Sequence, residues 1–277
     1  MRKNALQLCC IFLALCVLSP DAHAWGLATH VHFANALTWS VPLAAPALSV
    51  AVRRFPAWVL AGACLPDLAL FGQRCGTAAF DSNHRWQTAH RLRIQAATDE
   101  ERAAAVGYCS HLFVDVIAHN HFVPCHEQRW PNVKHATHAA CEWAMDVHLA
   151  RHVTTWPAEV LRAQAPQLVE YVSDAFACPA REARASLAAL IKWESLLRRA
   201  RLPEICYGLA RGLDRQSPRR FDDYLAATTG ALYHINDVLC GHDMAWPPEG
   251  AKRDIPPLES LVDLREGSGE VESACGY

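Results

Sequence analysis

The sequence predicts an all-α protein folded as a single multi-helix domain, and three observations support this. Of the 277 residues, 52% are hydrophobic and 19% are charged, so the chain has enough apolar side chains to form a large core. Apolar residues recur at helical spacing along most of the chain. No run of alternating apolar and polar residues is long enough to predict a β-sheet.

The N-terminal segment, residues 1–24, has the composition of a cleaved secretory signal peptide. Two basic residues precede an uncharged apolar run at 6–18, and an A-x-A cleavage site ends at Ala24. Cleavage there makes Trp25 the N-terminus of the mature protein. We therefore expect a secreted or periplasmic protein.

The predicted helices of the first half are separated by proline and glycine. Thr29–Trp39 has apolar residues at helical spacing, and Ala47–Cys64 is a second apolar run that ends before a proline. Phe71–Asn83 contains two glycines and no clear period, which predicts a loop. Helical spacing resumes over Trp86–Ala97 and Asp99–His119.

Prolines also divide the second half of the chain. Pro124 and Pro131 bracket a predicted loop, and Thr137 is a candidate N-cap of the helix that follows. A helical domain is expected over 25–246, and the Pro-, Gly- and Glu-rich segment 247–277 is predicted to be a loose tail. The predicted helices are Thr137–Thr154, Pro157–Ala175, Ala180–Ala200 and Phe221–Cys240.

Cysteine usage agrees with export. Three of the 12 cysteines lie in the predicted signal segment, and nine remain in the mature chain. Several of them are expected to form disulfide bonds in an oxidising compartment, although an odd number leaves at least one thiol. No C-x-x-C pair occurs, which disfavours a cysteine zinc site.

Charge and histidine content narrow the class of function. The formal net charge is −2, which argues against a protein held to nucleic acid by bulk charge. Histidine is abundant, with 15 in the chain, and ten of them fall between His84 and His152. This density points to a metal site or to catalysis.

Two polar rows on neighbouring predicted helices indicate a metal site. His111, Asp115 and His119 are spaced by four residues, so their side chains project from one face of a helix that is otherwise apolar. Burying them is costly unless they are paired or bind a cation. His138 and Glu142 have the same spacing on the next helix, and nitrogen and oxygen ligands favour zinc.

The predicted mature N-terminus offers further ligand atoms. An α-amino group has a pKa of about 8, so that of Trp25 can lose its proton and bind a metal ion. The carbonyl oxygen of Trp25 would close a chelate ring, and His30 would supply a third atom from the first turn of the following helix.

Five motifs, in the same order along the chain, resemble the superfamily of zinc-dependent phospholipase C and S1/P1 nuclease. Members of that superfamily are secreted all-α enzymes with three zinc ions and an N-terminal tryptophan ligand. The motifs cover about half of the mature chain. They are WGLATH at 25–30, GACLPD at 62–67, NHRW at 83–86, HLFVDVIAH at 111–119 and HAACE at 138–142.

The resemblance implies a set of ligands for three zinc ions. Asp115 would bridge the first two ions, and Asp67 would also orient the nucleophile or act as the base in catalysis. The ligands would be Trp25 and His30 at the first ion, Asp67, His84 and His111 at the second, and His119, His138 and Glu142 at the third.

Two positions have rivals. Branches of the superfamily differ in the spacing of the third zinc's histidine, which fits either His119 or His121; we favour His119 because it continues the helical row. His90 competes with His84, and the His-x-Trp context favours His84. Asp146 continues the helix face of Glu142 and is placed to orient a ligand.

The function implied by the resemblance is a secreted zinc-dependent phosphodiesterase that hydrolyses phospholipid headgroups with metal-activated water. The expected partner is phospholipid at a membrane surface, and no protein partner can be inferred. The alternatives are a single-strand nuclease, disfavoured by the absence of a basic patch in the sequence, and a non-catalytic module stabilised by zinc. Nine ligand residues are too few to fill three ions, which leaves positions for water or substrate and favours an enzyme.

Overall fold

The computed structural model describes residues 26–130 and 135–250, and it is 76% helical with no β-strand among those residues. It forms a single helical domain, which confirms the predicted fold class. The predicted signal segment, Trp25 and residues 251–277 lie outside the described residues.

The helices of the first half surround one central helix. They are α1 (Leu27–Ser40), α2 (Pro46–Arg54), α3 (Pro56–Gly62), α4 (Trp86–Gln95), α5 (Asp99–Ile117), α6 (Val123–Glu127) and α7 (His135–Leu149). A 3₁₀ turn at Pro66–Leu70 lies between α3 and α4, and a π-helical turn at Ala118–Phe122 joins α5 to α6.

The helices of the second half pack around this unit. They are α8 (Pro157–Ala163), α9 (Ala165–Ala175), α10 (Ala180–Ala200), α11 (Leu202–Leu213), α12 (Ser217–Ala231) and α13 (Ile235–Leu239). Helix α11 packs along α7, and α10 packs against α8 and α9.

The central helix is α5, because every residue from Ala103 to Ile117 is buried. Its N-terminus is fixed by a capping box, in which Thr98 accepts from the backbone N–H of Glu101 and the Glu101 side chain accepts from Thr98. A helix that is buried on all sides must be contacted by other elements on every face. The polar residues on α5 therefore face other helices.

Helices α3 and α5 cross with their backbones in direct contact. A Cβ atom on Gly62 would lie 2.1 Å from the carbonyl oxygen of Ala104, and one on Gly107 would lie 2.0 Å from that of Val59. Glycine at both positions is what permits this approach. The crossing brings Ala63, just after α3, alongside His111 of α5.

Prolines explain most of the differences from the predicted helices. The run Ala47–Cys64 forms two helices because Pro56 begins a new one after Phe55, and Pro157–Ala175 divides at Gln164. Helix α11 is missed by the sequence pattern because Pro203 suggests a break. That proline lies in the first turn of α11, where its missing N–H costs nothing.

Two further boundaries differ. The predicted helix Asp99–His119 is α-helical only to Ile117 and continues as the π-helical turn, so His119 follows a local change in helix geometry. Thr137 is not the N-cap of α7, since that helix already begins at His135.

The cysteines that the structure buries in the core do not form the disulfide bonds expected from export. Cys64, Cys109, Cys141 and Cys178 are buried free thiols. Burial raises the pKa of Cys109 to about 12 and that of Cys64 well above its ordinary value. These thiols stay protonated and pack as small apolar groups.

Among the described residues, no single helix is long and apolar enough to cross a membrane. One bent pair, Pro46–Arg54 with Pro56–Leu70, meets the length and composition criteria together, with a 96° bend between its halves.

Candidate metal centre

The candidate metal centre lies where α1, α5 and α7 meet two connecting segments, the 3₁₀ turn that carries Asp67 and the loop that carries His84. Helix α1 packs on α3, α5 and α7, so its first turn faces the polar row of α5. Three groups of acidic and imidazole side chains at this junction have ligand atoms close enough to hold a metal ion. They are His30, His111 and Asp115; Asp67, His84 and His111; and His119, His138 and Glu142.

The first group joins α1 to α5. His30 Nε2 lies 3.3 Å from Asp115 Oδ1, and His111 Nε2 lies 3.0 Å from Asp115 Oδ2. The rings of His30 and His111 stack with their centroids 3.7 Å apart. All three side chains are buried. The carboxylate of Asp115 therefore turns one oxygen to each imidazole.

The second group adds the two loops to the same helix. His84 Nε2 lies 3.4 Å from Asp67 Oδ1 and 3.3 Å from His111 Nε2. His111 Nε2 is also 3.7 Å from Asp67 Oδ1. His111 is thus shared between the first and second groups, and Asp115 Oδ2 lies 3.7 Å from His84 Nε2.

The tautomer of His111 indicates what belongs between these atoms. His111 Nδ1 donates to the carbonyl oxygen of Ala63 at 2.8 Å, so Nε2 of the neutral ring carries a lone pair. That lone pair faces two carboxylates and the Nε2 atom of His84. Acceptors that converge in this way are stabilised by a cation between them.

The third group lies at the π-helical turn and the start of α7. His119 Nε2 and His138 Nε2 lie 3.3 Å and 3.0 Å from Glu142 Oε1. His119 and Glu142 are buried, and His138 is partly exposed. This group therefore has one edge that a small ligand can approach.

Unsatisfied polar atoms favour a bound cation in the first two groups. Both ring nitrogens of His30, Oδ1 of Asp67 and both carboxylate oxygens of Asp115 are buried and make no hydrogen bond within the part of the chain that the structure describes. Leaving such atoms unpaired costs about 1–3 kcal/mol for each group and more for charged ones. Nitrogen and oxygen donors at these distances fit zinc.

The electrostatics of the two buried carboxyl groups differ. Burial raises the pKa of Asp115, but the imidazoles of His111, His30 and His119 outweigh it and hold that pKa well below its ordinary value. Burial raises the pKa of Glu142 well above its ordinary value, against the hydrogen bond from His119. Asp115 is therefore the more readily ionised of the two.

The structure separates the rival histidines. His121 Nδ1 pairs with the hydroxyl of Tyr224 at 2.5 Å, whereas His119 faces Glu142. His90 Nε2 pairs with Asp243 at 2.7 Å. Of the four rival histidines, only His84 and His119 belong to the three groups found in the described residues.

Asp146 holds the start of α1, the helix that carries His30. Its Oδ1 atom accepts from the backbone N–H of Thr29 at 2.9 Å and from the Thr29 hydroxyl at 2.7 Å, and Arg198 donates to Oδ2. A Cβ atom on Gly26 would lie 2.3 Å from Asp146 Oδ2, so a side chain there would displace the Asp146 carboxylate from these partners. Asp146 thereby fixes the turn that carries His30.

The part of the predicted tail that the structure describes, residues 247–250, forms a C-terminal segment that packs against the third group. His119 Nδ1 donates to the carbonyl oxygen of Pro248 at 2.6 Å, and the Asn120 side chain donates to that of Pro247 at 2.8 Å. The first bond directs His119 Nε2 towards Glu142. Because backbone carbonyls supply these contacts, no residue-type pattern marks them in the sequence.

The comparisons with known proteins bear on the same part of the chain. The model of a family described as zinc dependent phospholipase C matches residues 29–192, which include all three groups. No curated protein and no solved structure matches the chain significantly.

Proposed function

Because the chain belongs to the zinc-dependent phospholipase C family, we propose that it hydrolyses the phosphodiester between glycerol and the headgroup of a phospholipid. We further propose that it is exported through the segment 1–24 and acts outside the cytoplasm. The observation that supports catalysis best is the buried, unsatisfied carboxylate of Asp115 between two imidazoles.

We propose that the three groups hold three zinc ions. Zinc bound there would supply an activated water molecule and polarise the phosphoryl oxygens of the substrate. Asp115 would bridge the first two ions, and the α-amino group of Trp25 would complete the first; Trp25 lies outside the described residues. The other ligands are His30; Asp67, His84 and His111; and His119, His138 and Glu142.

The chain's own residues would prepare the site for this chemistry. Ala63 and Pro248 accept from the outer nitrogens of His111 and His119, which leaves the inner nitrogens free to bind metal. Asp67 Oδ1, buried and without a hydrogen bond among the described residues, is the group we assign to orient the attacking water or to accept its proton.

A substrate panel on the purified, zinc-loaded chain tests the proposal. We expect phosphorylated headgroup and diacylglycerol from phosphatidylcholine, loss of activity with a chelator, and recovery on adding zinc. Hydrolysis of single-stranded DNA but not of phospholipid would make the protein a nuclease. If zinc is fully bound but neither phospholipid nor DNA is hydrolysed, the protein is a non-catalytic module stabilised by zinc. Less than one zinc ion per chain would refute the metal centre.

A further inference from the structure

Helix α11 presents an exposed apolar row to solvent. Its inner face is buried against α7 through Leu202, Cys206 and Ala210. Along a flank of the same helix that is open to solvent, three aliphatic residues follow one another at four-residue spacing and are exposed by 37%, 55% and 59%. These are Ile205, Leu209 and Leu213, called here the α11 row.

The α11 row accounts for a large share of the exposed apolar side chains among the described residues. It supplies three of the eight large hydrophobic side chains that are exposed in the described residues. Single exposed apolar residues are normal, but a continuous stripe indicates an interaction surface. Gly208 and Gly212 lie on the same helix with no atom within 4 Å of a Cβ, so nothing in the described residues covers that side.

Exposed arginines are frequent in the stretch of chain that carries the α11 row. The stretch from residue 199 to residue 219 contains Glu204 as its exposed carboxylate, and Asp214 is half-buried beside Arg220. The chain as a whole has a net charge of −2, whereas this stretch has an excess of arginine, which corrects the expectation from the sequence that the chain has no basic patch. The exposed carboxylates of Asp222 and Asp223 follow it on α12. The exposed arginines are Arg199, Arg201, Arg211, Arg215 and Arg219.

We propose that the α11 row and these arginines form a docking surface for an anionic phospholipid bilayer. The inference rests on the proposed function, since the substrate would then lie in such a bilayer. A helix that lies in the membrane interface buries one apolar side among the acyl chains while its arginines meet the anionic headgroups.

The charge pattern favours a bilayer over a second copy of the chain. In a two-fold symmetric dimer formed through α11, the same surface of each copy meets its counterpart. The arginines of one copy would then lie near those of the other, which is repulsive. An anionic bilayer complements the same charges.

Vesicle flotation of the zinc-loaded full chain tests the docking surface. The variant replaces Ile205, Leu209 and Leu213 together by serine, and the matched control is Ile94→Ser, which removes a 73% exposed aliphatic side chain on α4. We expect the wild type and Ile94→Ser to bind vesicles that contain phosphatidylglycerol, and the triple variant to bind them about tenfold less. Added salt should weaken wild-type binding.

Several results would overturn the proposal. These are equal binding by the triple variant and the wild type, no binding by the wild type, or a wild-type dimer that the triple variant converts to a monomer. If the triple variant does not fold, Arg211→Glu with Arg215→Glu replaces it, and the same tenfold loss is expected. Unchanged binding by that charge variant would also refute docking.

A soluble substrate separates this proposal from the proposed function. We expect the triple variant to hydrolyse short-chain, monomeric phosphatidylcholine as fast as the wild type, because the α11 row contains none of the proposed ligands. If the wild type floats with vesicles but hydrolyses neither substrate, the proposed function fails and docking stands. If it hydrolyses the soluble substrate and vesicle binding is unaffected by the triple variant, docking alone fails.

Discussion

Two kinds of histidine environment in this protein can be compared. In the metal centre, His30, His84 and His111 converge on the carboxylates of Asp67 and Asp115, and several of the buried atoms have no hydrogen bond among the described residues. In this environment, the buried nitrogen and oxygen acceptors outnumber the N–H groups that could donate hydrogen bonds to them.

In the other kind of environment, each histidine has hydrogen-bond partners outside the three groups. His90 lies against Asp243, His121 against Tyr224, and His148 contacts both Tyr207 and Asp222. Each of these histidines has a partner that a proton can bridge. The comparison teaches that a carboxylate shared by several imidazoles indicates a cation site, whereas a histidine with its own hydrogen-bond partners is satisfied without a cation.

The largest expected effect comes from removing a shared carboxylate. Asp115→Asn should lose the first two proposed zinc ions and lower phospholipid hydrolysis by about a thousandfold, because the amide cannot bridge two cations. Asp243→Asn, which changes the partner of His90, should keep full zinc content and activity. Metal analysis and initial rates check both variants, and equal zinc content in the two would remove the distinction between the environments.

A second pair of variants separates neighbouring histidines on one turn. His119→Gln should lose the third zinc ion, since the side chain faces Glu142. His121→Gln should retain it, because that ring pairs with Tyr224. Zinc content per folded chain is the measurement. Zinc loss in His121→Gln alone would mean that His121 is the ligand.

His126 provides a third test, because it is buried and yet belongs to neither environment. Its Nε2 atom makes no hydrogen bond within the described residues, but its charged neighbours include Arg220 and Arg129. Burial, reinforced by these cations, lowers the pKa of His126 to about 4. A positive field disfavours a proton and a metal ion alike.

The low pKa of His126 makes stability depend on pH. An unfolded histidine takes up a proton below a pKa of about 6.5, which folded His126 resists, so stability should fall as the pH drops from 6.5 to 4. The loss is on the order of 2–3 kcal/mol. Urea unfolding at several pH values should show a shallower loss in His126→Leu than in the wild type. Parallel curves would contradict this account.

The smallest expected effect concerns the C-terminal segment on His119. A chain that ends at Trp246 lacks the carbonyls of Pro247 and Pro248, and its zinc affinity at the third group should fall by about 10–100-fold. A chain that ends at Gly250 keeps both carbonyls and serves as the control. Chelator competition measures the affinity, and equal affinities would show that the segment does not orient His119.

The sequence predicts the parts of this site that depend on local spacing. His111 and Asp115 lie four residues apart on a regular helix, so their common face follows from helical geometry. The same holds for His138 and Glu142 on α7. The all-α class also follows, because the apolar period extends over most of the chain.

Other parts depend on tertiary contacts that no local pattern contains. The π-helical turn that contains His119 has a sequence whose pattern predicts ordinary α-helix. The approach of Ala63 to His111 requires Gly62 and Gly107 to meet across two helices. The role of Asp146 depends on the packing of α1 against α7, because Asp146 lies 117 residues after Thr29, to which it bonds.

Because His119 bonds to the carbonyl of Pro248, the third group can be completed only late in synthesis of the chain. This acceptor lies 129 residues after His119 in the chain, so the ring of His119 has no such partner while the chain is being made. The orientation of that ligand is complete only when nearly all of the helical domain has been translated and packed. If zinc binds at this group as proposed, its uptake would report on a finished chain, and a truncated product would be marked by incomplete metal loading.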